Sequence, residues 1–188
     1  MSNIEKIDRL IQSLIEEVPT LDTGFAIIDK YVKSIDESVD LGHFRNQLAD
    51  SYKPFEDWLN RLLEKEKVPK AILAFNIGLF ESEDYIQLYI TGSTEWEIND
   101  DHWAANNDYF PEGRYPDISL YSELYNLLNE NFYLGLFLTI SSTITYTNTY
   151  LLEHSSRFSK GVIFATGFDD GDLYNFAKKT EETITVPT

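Results

Sequence analysis

Residues Tyr133–Tyr150 read YLGLFLTISSTITYTNTY, a stretch without a single charge. Taken as a strand, it alternates Leu134, Leu136, Leu138, Ile140, Ser142 and Ile144 along one face. Its threonines and isoleucines favour that reading, because branching at Cβ restricts χ1 in a helix and suits a pleated surface. Taken as a helix, it gathers Leu134, Phe137, Leu138, Ser141 and Ile144 on one side. Propensity alone favours the strand, and the spacing leaves the helix open.

The flanks are easier to read. On the N-terminal side, SLYSELYNLLNE (119–130) has helical spacing. On the C-terminal side, GVIFATG, FDDGD and LYNFAK read as strand, turn and strand, because Asp-Gly is a strong turn dipeptide. Further back, AILAFNIGLF (71–80) and DYIQLYITG (84–92), separated by ESE, read as a hairpin. Before Lys70 the period is helical. Ser2–Glu5 has the form of a capping box, followed by Ile4, Ile7, Ile11, Leu14, Ile15 and Val18, and Pro19 ends that helix. A second helix is predicted from Asp22 or Thr23 to about Asp36, with Phe25, Ile28, Val32 and Ile35 on one face. A third is predicted to start at Pro54, a residue suited to a first turn, with Phe55, Trp58, Leu59, Leu62 and Leu63 facing inward; residues 41–52 can also be helical. These elements predict an α+β fold in which N-terminal amphipathic helices pack with a mainly antiparallel sheet of about four strands. The expected organisation is a single domain over 1–188, helical over 1–69 and α+β over 70–188.

A chain of 188 residues is too short for two large domains, and 43% hydrophobic and 14% aromatic content supplies enough to bury. The absence of cysteine removes disulfides, thiolate metal clusters and cysteine nucleophiles. The N-terminal stretch MSNIEKIDRLIQSLIEE carries charges every few residues, so no signal peptide is expected and a cytoplasmic location fits best. The longest apolar run, near Phe132–Ile140, is much shorter than a membrane span.

Formal net charge is −17 and unevenly spread. Residues 1–70 contribute −4 and residues 71–188 contribute −13. Between Lys70 and Arg114 there is no lysine or arginine but there are nine acids. Such a segment repels nucleic acid and anionic membrane, and attracts a basic protein or a cation. Its densest part, GSTEWEINDDHWAANNDYFP (92–111), combines Glu95, Glu97, Asp100, Asp101 and Asp108 with Trp96, Trp103 and His102.

Common catalytic signatures are missing: there is no Gly-x-Ser-x-Gly elbow, zincin helix, phosphate loop or dinucleotide fingerprint. His43, His102 and His154 lie in distant segments, and only His102 sits among carboxylates. A small metal-dependent or His-based hydrolase centred on His102 with Asp100, Asp101 and Asp108 is therefore the enzymatic alternative. No nucleophile or oxyanion donor accompanies it. Asp169, Asp170 and Asp172 form a second acidic cluster, a weak metal candidate that lacks the spacing of a calcium-binding helix-loop-helix and is already explained by turn chemistry. No cofactor is implied. Among the aromatics, Trp58 has the spacing of a core residue; Trp96, Trp103, Tyr109 and Phe110 suit a recognition patch, with pinning of the loop as the alternative for Trp96 and Trp103 and the favoured reading for Trp103, which two alanines follow.

Two stretches, LYITGSTEWEINDDHWAANNDYFP and KGVIFATGFDDGDLYNF, together resemble a family of small acidic bacterial immunity-type proteins encoded beside polymorphic or contact-dependent toxins. The resemblance spans about residues 70–178 and leaves the N-terminal helices unmatched. In this chain His102 precedes the tryptophan, and Ala105 stands where many relatives are expected to carry cysteine, which speaks against chemistry at that position. The resemblance implies a non-enzymatic protein that occludes a basic toxin surface. The implied contact residues are Glu95, Trp96, Glu97, Asp100, Asp101, Asp108, Tyr109 and Phe110.

Overall fold

The capping box at Ser2 forms as its pattern predicts, with Glu5 N–H donating to Ser2 Oγ at 3.3 Å and Ser2 N–H donating to Glu5 Oε2 at 2.8 Å. It opens α1 (Asn3–Glu16) in the computed structural model, which describes residues 2–187. There follow α2 (Leu21–Ile35), α3 (Gly42–Lys65), β1 (Ala74–Glu81), β2 (Ile86–Ser93), α4 (Ser119–Glu130), α5 (Phe132–Glu153), β3 (Ile163–Phe168), β4 (Tyr174–Lys179) and β5 (Ile184–Thr185). The fold is α+β. None of its helices is long and apolar enough to cross a membrane.

Two helical expectations change. Pro54 does not start a helix but lies inside α3, which begins at Gly42. Proline removes the hydrogen bond to the carbonyl four residues back, and here both Pro54 and Asp50 are exposed, so water can satisfy that carbonyl. The larger correction concerns Tyr133–Tyr150, which is helix and not strand. Every residue of α5 from Phe137 to Leu151 is buried, so the helix has no polar face for periodicity to reveal. Six of its seven buried serine and threonine hydroxyls find partners inside the helix itself, Ser141 being the exception: Thr139, Ser142, Thr143, Thr145, Thr147 and Thr149 each donate to the carbonyl four residues back, at 2.6–2.9 Å. Threonine costs little in this helix because its polar atom is satisfied and its methyl packs.

Around α5 the other helices are tied by its polar side chains. Tyr146 donates to the Leu48 carbonyl of α3 at 2.7 Å, Tyr150 donates to Asn60 at 2.9 Å, and Asn148 donates to the Pro19 carbonyl at 3.0 Å. Leu21 N–H, at the start of α2, donates to Thr149 Oγ1 at 2.7 Å. Glycine permits the closest approach. A Cβ on Gly135 would stand 2.4 Å from Leu128 Cα of α4.

The sheet has the order β2-β1-β3-β4-β5. It has five strands where about four were expected, because the two-residue β5 is too short to leave a pattern. Three of its pairings are antiparallel, and the central β1–β3 pair is parallel, since α4 and α5 intervene between those strands. Alternation sends Phe75, Ile77, Leu79, Leu88, Ile90 and Phe164 into the core shared with the helices. Ala74, Ile163 and Ala165 face the other way and form a smaller cluster with Trp103. One apolar cluster extends from Ile7 of α1 to Ile184 of β5.

Filling the α4–α5 contact should be costly. Gly135→Ala is expected to destabilise the protein by about 1–3 kcal/mol, seen as a lower denaturation midpoint at unchanged m value.

Candidate functional site: an acidic loop beside an aromatic cleft

The outward-facing face of β1 and β3 includes Ala74, Gly78, Ala165 and Gly167, which leaves room for residues 94–118 to fold back over it. Trp103, in a 3₁₀ turn at His102–Ala105, is buried against Ala74, Ile163 and Ala165. Trp96 is half-buried and donates its indole N–H to Asn175 Oδ1 of β4 at 3.1 Å. Gly92 and Tyr109 exchange backbone hydrogen bonds at 2.9 and 3.0 Å, closing the loop on β2. The Tyr109 hydroxyl donates to the Glu66 carbonyl at 2.9 Å, and the Glu66 carboxylate accepts Glu112 N–H at 2.7 Å and Gly113 N–H at 2.9 Å. Trp58 completes the attachment through its indole N–H to the Gly113 carbonyl at 2.8 Å.

The eight residues singled out from the sequence therefore fall into two groups. Trp96 and Tyr109 act as anchors; Tyr109 is buried, and burial together with the nearby Glu66 charge pushes its hydroxyl up to about 12. Glu95, Glu97, Asp101, Asp108 and Phe110 are exposed, and Asp100 is half-exposed. Two of the acids also shape the loop. Asp100 Oδ1 accepts His102 N–H at 2.9 Å, and Asp108 Oδ2 accepts both the amide and the hydroxyl of Thr94 at 2.8 Å. Those two bonds, the amide's first, lower the Asp108 pKa below the ordinary aspartate range. None of Glu95, Glu97, Asp100, Asp101 and Asp108 forms an ion pair among the described residues.

The 3₁₀ turn separates two depressions. On one side lies a crevice of about 250 Å³ that includes Glu95, Glu97, Asp100 and His102. On the other lies a cleft of about 600 Å³ over the outer face of β2. Its floor is Tyr89, laid across Gly78, where a Cβ would stand 2.1 Å from the ring. Phe110 and Tyr115, each about half exposed at 50% and 52%, and Phe80 and Tyr85 from the β1–β2 hairpin form its aromatic sides. Asp169 closes one end, accepting the Tyr89 hydroxyl. Burial, and then this bond to a carboxylate, raises the Tyr89 pKa. Sequence reasoning missed this cleft. The alternation Tyr85-Gln87-Tyr89-Thr91 did place those side chains on one face, but nothing in it showed that the face stays open.

Asp169, Asp170 and Asp172 are exposed in the β3–β4 turn, where Gly171 N–H donates to the Phe168 carbonyl at 3.0 Å. Among the described residues, one set of three carboxylate or imidazole groups brings its donor atoms within 4.8 Å of one another, and it is Glu56, Glu153 and His154. Neither the Asp169–Asp172 turn nor the His102 group converges in that way. Each member of the convergent set has a partner within the chain. His154 Nε2 is 2.8 Å from Glu56 Oε1, Lys53 is 2.8 Å from Glu56, Tyr52 donates to Glu153, and the Tyr150 ring lies 4.5 Å from that of His154. The set clasps α3 to the end of α5. Glu56 lies almost a hundred residues from Glu153 and His154, and no local pattern announces the set.

The chain matches no known family model, no curated protein and no solved structure.

Because the Asp108 pKa is lowered by folding, the stability it contributes is complete above the ordinary aspartate range. It is lost as pH falls through the lowered folded-state value. The Thr94 amide resonance should therefore titrate with a midpoint below that of an ordinary aspartate, and Asp108→Asn should abolish that inflection.

Proposed function

We propose that this chain is a non-enzymatic, cytoplasmic binding protein that neutralises a basic protein partner of the toxin class by covering its working surface. The observation that carries the reading is a run of carboxylates without ion pairs, held on a loop that is braced by β2, β4 and the end of α3. Ion pairs do form where lysines lie near acids, as at Lys30–Glu17, Lys33–Asp29 and Lys160–Glu181, whereas the five loop carboxylates form none among the described residues. Acids without a cation on a braced support meet an approaching cationic surface with little ordering cost. The choice of a toxin as partner rests on the sequence resemblance proposed for residues 70–178 alone, which no family match accompanies.

On this reading Glu95, Glu97, Asp100, Asp101 and Asp108 steer the encounter, and Phe110 supplies apolar contact. Trp96 and Tyr109 act indirectly, by holding the loop in place. Long-range attraction of this kind raises association rates and weakens with salt.

The test is affinity capture of the tagged protein from its own cell lysate at low and high salt, with the partner identified and its binding kinetics measured. One basic protein should be retained at low salt and released at high salt. Asp100→Lys combined with Asp101→Lys should slow its association by on the order of tenfold or more, while His102→Ala should leave it unchanged. Loss of a measurable turnover on His102→Ala, with capture intact, would overturn the proposal.

A further inference from the structure

The aromatic cleft has walls and an end of different chemistry. Phe80, Tyr85, Tyr89, Phe110 and Tyr115 present ring surfaces, and Asp169 presents a carboxylate. Only Asp169 Oδ1 is engaged, by Tyr89, and no hydrogen bond to its second oxygen is formed among the described residues. The next hollow along the surface shares Phe80 and Asp169 and adds Glu81, Glu83 and Asp170. No lysine, arginine or histidine lines either depression. The lining therefore combines electron-rich ring faces with carboxylates and contributes no cation of its own.

These rings already hold one guanidinium. Arg114 Cζ lies 3.7 Å from the Phe110 ring centroid and 4.5 Å from that of Tyr115, and Arg114 Nη1 donates to the Pro111 carbonyl at 2.9 Å. Arg114 is not part of the cleft lining. It fixes the two rings from outside while they stay half exposed on the cleft side. A guanidinium is planar, weakly hydrated for a cation and equipped with a fork of donors, so it can stack on a ring and hydrogen-bond a carboxylate at once. An ammonium is more strongly hydrated and cannot stack, and an apolar side chain would cover the second oxygen of Asp169 without giving it a donor.

We propose that this cleft receives an arginine side chain of the partner protein, stacked against Tyr89, Phe110 and Tyr115 and hydrogen-bonded to the free oxygen of Asp169. This deepens the binding reading above and rests on it for the nature of the partner.

The test uses the full chain and the amidated tripeptide Gly-Arg-Gly, titrated at low ionic strength and followed by amide chemical shifts, with Gly-citrulline-Gly amide as the uncharged near-isostere. The arginine peptide should shift Gln87, Tyr89, Thr91 and Phe110, and the citrulline peptide should bind on the order of tenfold more weakly. Asp169→Asn keeps an acceptor for Tyr89 and should weaken the arginine peptide by a similar factor, with the unfolding midpoint monitored to confirm an intact fold. Equal affinity for the two peptides, shifts confined to other surfaces, or an Asp169→Asn variant that binds as well as the parent would each overturn the assignment. Capture of a basic partner that depends on Asp100 and Asp101, with no peptide binding at the cleft, would sink the cleft alone. Arginine binding at the cleft with no basic partner captured would leave the guanidinium site standing and remove the neutralising role.

Discussion

A helix enclosed on every side must dispose of its own polar atoms, and α5 does so for most of them by returning hydroxyls to its own backbone, leaving Ser141 Oγ and Asn148 Oδ1 without a partner among the described residues. Residues Phe137–Leu151 are out of contact with water, yet the segment includes five threonines, two serines and an asparagine. Six of those hydroxyls bond the carbonyl one turn back, which leaves their methyl and methylene groups to pack. Tyr146, Asn148 and Tyr150 then reach outward and bind the chain around them. The three N-terminal helices and the sheet are arranged about this axis, and Gly135 lets α4 approach it backbone to backbone.

The same axis separates the two faces of the sheet. One face is consumed by the helices. The other is covered over β1 and β3 by an inserted loop and its two tryptophans, and stays open over β2 as the aromatic cleft. Because Trp103 is buried there and Trp96 is tethered to Asn175, the acids between and beside them are displayed on a fixed surface. The loop's inner side supplies attachment and its outer side supplies charge.

Charge distribution follows from that division. Basic residues concentrate in the helical third, where they pair with neighbouring acids at the surface. The loop and the β1–β2 hairpin carry acids without counterions, and the cleft between them combines carboxylate with ring faces. Surface ion pairs contribute little stability, so their absence costs the fold little while leaving a strong local field.

The sequence by itself determined the fold class, the capped first helix, both hairpins and the α4 helix, because each has a local cause: a capping box, a two-residue alternation, an Asp-Gly turn or a one-sided apolar stripe. It also determined which residues are acidic and that Trp103 suits an anchor. It did not determine the state of Tyr133–Tyr150, since β-branched residues favour a strand unless burial on all sides and bonds to the preceding turn favour the helix, and both conditions are tertiary. It could not separate Tyr109, which turns inward to Glu66, from Phe110, which stays exposed; the side taken depends on the end of α3, more than forty residues away. The cleft was equally out of reach. Its floor comes from β2, its sides from a hairpin and a loop, and its carboxylate from the β3–β4 turn, so only the packing of the sheet brings those residues together.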